Sequence, residues 1–402
     1  KSKIYMRRVK LKHLLILIFM AFLVAGCTQK VVKLKMPNQN VPVKKVEEDK
    51  KTVVEEFISN DSVIQEEIIN NNGSKNEITQ EENSEVLASS EPEIKFDSTK
   101  ANLKIAFVYP SSLVSKYAKN SINTVAAYLT FLNANYDLVV IDSQNESADS
   151  INNAFNKVKE EGITKVIALY TPNAINNLNT MTLNDIMVYL PLIEKKDSLS
   201  QNDNLIFGSI SYEDQLKKLS YYSDGPNVLF YQNTYLGNKL KNSYENVVSY
   251  TTARKEIKSS ETNFKNIVVD SRLRNSSIFL NVDIVKSSLI MSQLRANDIY
   301  PKFIFSTQIN FDPMLMTLTQ DKDREKMVLA NSIEKIDNKL RDEIVNFGGN
   351  INFEWVDYST LVGANYLVNG NNNLIPTKIV ENQAVYTPRL FKSTEYGFVE
   401  IK

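Results

Sequence analysis

The chain has 402 residues, of which 43% are hydrophobic, with 47 Lys+Arg against 47 Asp+Glu, one His and one Cys. A single cysteine excludes a disulfide scaffold, and balanced charge without a local basic stripe offers no field for holding a nucleic-acid backbone. The length allows about two to three domains.

The first segment carries targeting grammar. Arg7, Arg8, Lys10, Lys12 and His13 form a basic flank, and Leu14 to Val24 is an apolar run too short for a stable span. Met6 makes a better initiator than Lys1. The run closes on Val24-Ala25-Gly26-Cys27, which resembles the lipobox of bacterial lipoproteins, with Cys27 as the lipid acceptor and residues 1–26 as signal peptide. Several acyl chains on one cysteine give durable anchoring, because each buried CH₂ contributes about 0.8 kcal/mol. Thr28 follows, with no acidic residue there, a pattern similar to an outer-membrane address facing the periplasm.

With His13 and Cys27 both in this segment, the remainder of the chain has no histidine and no further cysteine. Zinc sites, Ser-His-Asp triads and Cys-His pairs are therefore closed to it. Only 11 glycines occur, against roughly 28 at average usage, and neither GxGxxG nor GxxxxGK[ST] appears. The expectation is a non-enzyme without metal or cofactor.

Residues 27–100 change character, with charged and Asn-rich runs and only Phe57 and Phe96 as aromatics. Such a stretch buries too little apolar surface to offset its ordering entropy, so it is expected to be a disordered tether, with a transient helix around 52–69. As a coil it spans roughly 50 Å, and pulled straight about 250 Å.

From Leu103 the pattern is regular. Leu103 to Tyr109 reads as a strand buried on both faces, stopped by Pro110-Ser111-Ser112, and a helix follows with Ile122, Val125, Ala126, Leu129 and Leu132 on one stripe. Tyr136 to Ile141 is the next strand, Ile151, Ala154, Phe155 and Val158 line a helix, and Thr164 to Tyr170 is a third strand. The alternation restarts with a strand at 227–231, a helix over 236–247, a strand at 277–282, a helix over 283–296 and a strand at 303–306. Two such runs predict an α/β protein with two lobes of parallel strands flanked by helices, within 101–402, the second beginning near 212. Asn350 to Val356 reads as a strand ahead of a core Trp355, Asn371 to Asn373 as a mobile loop, and the tail from Ile375 as a terminal hairpin whose edge could pair with a partner.

Several motifs in order, Ala106-Phe107-Val108-Tyr109-Pro110-Ser111-Ser112, Leu169 to Ile175, Phe207-Gly208-Ser209 to Gln215, Leu294 to Pro301 and Leu361 to Asn365, resemble a known family. That family is the type I periplasmic binding proteins, and within it the folded domain of penicillin-binding-protein activator lipoproteins. The resemblance implies a two-lobed fold and a non-enzymatic scaffold or activator bound to an envelope protein, a peptidoglycan synthase or a periplasm-spanning assembly. The alternative class is a solute-binding receptor for an amino acid or small peptide feeding an inner-membrane importer.

Ligands of such sheets bind at the carboxyl ends of strands. Ser111, Ser112, Thr171, Tyr231, Gln232, Asn281, Ser306 and Thr307 sit at or just past those ends and form the candidate cleft, either capturing a small zwitterion or simply capping helices. Asp142 and Asp283 read first as caps, and Tyr221 and Tyr222 as hinge packing. Asp203, Glu213 and Asp214 read as solvated surface.

Overall fold

A computed structural model describes residues 31–35, 102–198 and 202–401. The signal segment, Cys27 and most of the expected tether lie outside the described residues.

The strands in chain order are β1 (Val31–Lys35), β2 (Leu103–Tyr109), β3 (Tyr136–Asp142), β4 (Lys165–Ala168), β5 (Met187–Leu190), β6 (Leu205–Phe207), β7 (Asn227–Gln232) and β8 (Ala253–Ile257). They continue with β9 (Ser277–Asn281), β10 (Phe303–Ser306), β11 (Met327–Asn331), β12 (Lys378–Val380), β13 (Gln383–Val385), β14 (Arg389–Thr394) and β15 (Gly397–Ile401). The helices of nine or more residues are α1 (Ser111–Phe131), α2 (Ala148–Glu160), α3 (Tyr212–Ser220), α4 (Tyr235–Val247), α5 (Ile284–Ala296), α6 (Asn338–Asn346) and α7 (Trp355–Asn369).

Two sheets result. The first runs β1-β3-β2-β4-β5-β6-β13-β12 and the second β15-β14-β11-β10-β9-β7-β8. Their centres are parallel, whereas β1 on β3, β12 on β13, β14 on β11 and β15 on β14 are antiparallel. Parallel strands need helical crossovers on both faces, so a central strand is apolar on both sides. β2 obeys this: Ile105 and Phe107 enter one core and Ala106 and Val108 the other.

The chain changes lobes three times, at 208–211 after β6, at 332–337 after β11 and at 386–388 after β13. At the first change Gly208 is required by space: a Cβ there would come within 2.3 Å of the Tyr189 hydroxyl. A Cβ on Gly363, in α7, would likewise come within 2.2 Å of the same ring. The Ser359 hydroxyl and the Tyr386 hydroxyl both donate to the Gly208 carbonyl, at 2.8 and 2.5 Å.

Four expectations are corrected. Val31–Lys35, inside the stretch read as tether, pair with β3 in register from Val31 opposite Ile141 to Lys35 opposite Asp137. Residues 350–354 are a turn leading into α7 and 355–356 are already helical, so no strand forms there; Trp355 opens that helix and is partly buried against its core. The tail forms two hairpins rather than one, β12–β13 in the first sheet and β14–β15 in the second, because the chain crosses lobes between them. The Asn371–Asn373 loop is pinned: Asn371 exchanges two bonds with the Ile379 backbone at 2.7 and 2.8 Å, and Asn372 donates to Asn365 Oδ1 at 3.0 Å.

Candidate functional site

The two lobes are joined by Lys239 of α4, in the second lobe, whose Nζ lies 3.2 Å from Glu194 and 3.0 Å from Asp197, both of which follow β5 in the first.

On the first lobe the capping reading of the serines needs revision. The N-cap of α1 is Pro110, which makes no side-chain cap. Asp142, at the end of the neighbouring β3, supplies it instead: its Oδ1 accepts from Ser111 N at 3.1 Å and Gln144 N at 2.7 Å. Ser112 N donates to Gln144 O at 3.0 Å. Thr171, after β4, donates its backbone N–H to Glu146 Oε1 at 2.5 Å and its hydroxyl to Glu146 Oε2 at 2.7 Å. Glu146 is thereby placed at the cleft edge, and burial pushes its carboxyl up despite both bonds. Beside it lies Tyr170, fully buried, its proton held more tightly by burial and by the nearby carboxylates of Glu146 and Asp142.

On the second lobe Asn281 and Thr307 end the adjacent central strands β9 and β10. They are 1% and 0% exposed, yet both amide atoms of Asn281 and the hydroxyl of Thr307 have no hydrogen-bond partner. A buried polar group without a partner costs about 1–3 kcal/mol, so such groups mark places where water or a ligand completes the bonding. Ser306 differs, since its hydroxyl donates to Leu280 O at 3.0 Å and accepts from Asn310 Nδ2 at 2.8 Å. Gln232 accepts from Asp283 N at 3.3 Å, and Asp283 caps α5 through Lys286 N at 2.9 Å. Tyr231 does not join the group, because its hydroxyl donates to Glu256 on the edge strand β8 at 3.0 Å.

Between the lobes Ile210, Tyr212 and Leu240 form a buried cluster joined by Ile309, Trp355 and Tyr386. With the Lys239 ion pairs it closes one side of the cleft. Glu194, only 5% exposed, also lies 3.4 Å from Lys196, which reaches Glu213 at 3.2 Å. The Glu194 carboxyl is pushed up, burial outweighing the two lysines. Asp203, Glu213 and Asp214 form no carboxylate pair; the Asn246 amide, with Lys196, lowers Glu213. Tyr221 is 75% exposed at the end of α3, so it does not pack a hinge.

Two cavities flank the crossings. One of about 700 Å³ is lined by Glu194, Lys196, Glu213, Gln383 and Tyr386, the other of about 630 Å³ by Phe311, Phe353, Phe391, Phe398, Arg341 and Arg389. Neither includes the strand-end residues above. Among the described residues no group of three or more His, Cys, Asp or Glu is placed to hold a metal ion. Sequence reasoning missed Glu146, Glu194 and Lys239, whose Glu146–Thr171 and Glu194–Lys239 pairings span 25 or more residues and leave no local signal.

No protein-family model matches the chain, and no curated protein matches it by sequence. Solved structures do match. A Rhodospirillum rubrum protein described as a branched-chain amino acid ABC transporter aligns with TM-score 0.59 at 12% identity, over 75% of this chain and 100% of its own. The Streptococcus pneumoniae substrate-binding protein LivJ, in complex with isoleucine, aligns with TM-score 0.53 at 13% identity over 75% and 100%. An R. palustris solute-binding protein in complex with 4-hydroxybenzoate aligns with TM-score 0.54 at 8% identity over 75% and 96%. The chain therefore has the two-lobed type I periplasmic-binding-protein-like fold.

Proposed function

We propose that this chain is a non-enzymatic receptor of the bacterial cell envelope that takes a small polar solute between its lobes. The observation that carries the reading is the pair Asn281 and Thr307, buried at the ends of adjacent central strands with their polar atoms unsatisfied. The fold neighbours, an ABC transporter protein and two substrate- or solute-binding proteins of such transporters, support the same class. Fold alone does not fix function, so the site carries the weight.

The test is thermal denaturation of the purified protein across amino acids, small aromatic acids, short peptides, cell-wall fragments and carboxylate-free solutes such as sugars, amides and amines. A ligand at a hundredfold excess over Kd stabilises the native state by about 2.7 kcal/mol. A saturable shift that disappears in Asn281→Ala and Thr307→Val supports the reading; a panel without any shift refutes it.

A second reading, an envelope scaffold that activates a protein partner such as a peptidoglycan synthase, is favoured by the Lys239 ion pairs and the Tyr212–Trp355 cluster, which hold the lobes together without a ligand. Cross-linking in cells followed by capture should then recover one dominant envelope protein. Lipidation at Cys27 and an outer-membrane address belong to both readings, and radiolabelled palmitate incorporation lost in Cys27→Ser tests the first of these.

A further inference from the structure

The donors on the first lobe best suited to a ligand carboxylate are the Thr171 backbone N–H and hydroxyl, two groups converging at the end of a central strand. Both are already engaged, at 2.5 and 2.7 Å, by the two oxygens of one side chain, Glu146. Among the described residues no lysine or arginine pairs with that carboxylate, so these two bonds are its principal compensation for burial. The loop that presents it is itself fixed. Asn177 Nδ2 donates to the Glu146 carbonyl at 3.1 Å, and Asn145 Oδ1 accepts from Ser147 N at 2.9 Å.

We infer that Glu146 is a built-in carboxylate that fills the Thr171 donors and keeps carboxylate ligands off them. A group held on the same chain competes at an effective concentration of millimolar or more, and a pinned loop raises that further. A free amino acid offering its carboxylate to Thr171 must displace Glu146 and leave a partly buried, unpaired charge behind. This deepens the receptor reading and rests on it for one consequence: the solute carries no carboxylate at this position, unlike the isoleucine named for LivJ. The occupancy of the donors by Glu146 stands or falls separately.

Chemical rescue tests it. In Glu146→Ala the donors are freed and a carboxylate-sized space is left. Sodium acetate at about 100 mM should then raise its melting temperature by roughly 2–4 °C over sodium chloride of equal ionic strength, saturably. Wild type and Glu146→Gln, which keeps the shape, should not respond, and Glu146→Ala/Thr171→Val should lose the response. Should Glu146→Ala be insoluble in plain buffer, acetate but not chloride in the refolding buffer restores soluble protein. Acetate acting equally on all variants, or on none, overturns the inference. Neither result depends on finding the natural solute, so failure of the receptor reading remains distinguishable from failure of this one.

Discussion

Lys239 joins the two lobes through two carboxylates, Glu194 and Asp197, which makes it a sharp place to perturb the molecule. Its side chain is 19% exposed and that of Glu194 only 6%. At an effective dielectric of about 20, a contact near 3 Å is worth about 5 kcal/mol before desolvation. Most of that is returned, because burial still pushes the Glu194 carboxyl up with two lysines beside it. Removing one partner of a fully buried pair costs about 3–5 kcal/mol. Here Lys196 stays at 3.4 Å from Glu194 and Lys239 keeps some solvent, so Lys239→Met should cost less, about 2–3 kcal/mol. In a domain of this size that lowers the melting temperature by roughly 4–8 °C. The double-mutant cycle with Glu194→Gln, read by urea denaturation, should give a coupling of about 1–2 kcal/mol. Small-angle scattering should show a larger radius of gyration for Lys239→Met as the lobes part. A coupling below about 0.5 kcal/mol together with unchanged scattering would refute the claim that this ion pair holds the lobes closed.

Two further predictions concern stability alone. Gly363→Ala places a Cβ 2.2 Å from the immobile Tyr189 ring and should cost about 3 kcal/mol by denaturant midpoint; an effect under about 1 kcal/mol contradicts the packing. Glu146, Glu194, Glu334, Glu354 and Asp357 all have carboxyls raised by burial. A raised carboxyl favours its neutral form in the fold, so its contribution is fully present below the unfolded value and is lost as pH rises through the folded one. Asp270, held down by Arg272, acts oppositely, its contribution being lost as pH falls through its lowered value. The melting temperature should therefore be higher near pH 5 than at pH 7.5, Glu354→Gln should flatten that slope, and a fall between pH 7.5 and 5 would contradict the sign.

The central strands were legible because parallel strands covered on both faces read as unbroken apolar runs. β2, β3, β4, β7, β9 and β10 each carry one, and the carboxyl ends of β4, β9 and β10 located Thr171, Asn281 and Thr307. The edges were not legible. β8, Ala253-Arg254-Lys255-Glu256-Ile257, is a polar edge strand, and β1 pairs with β3 across more than a hundred residues of sequence. α7 escaped for a different reason: from Val356 to Asn365 every residue is buried, so the helix has no polar face and no stripe to betray its period. The ion pairs and the Glu146–Thr171 bonds are products of tertiary placement, which explains why polar residues in unremarkable loops turned out to define the cleft.

The pairing of β1 changes the mechanical meaning of the amino-terminal region. If Cys27 carries lipid, only three residues separate it from the first residue of a strand registered on β3. Four residue steps reach at most about 14 Å. The first lobe is then moored to the bilayer like a buoy on a short chain. Partners would then have to come to the membrane surface to meet this protein.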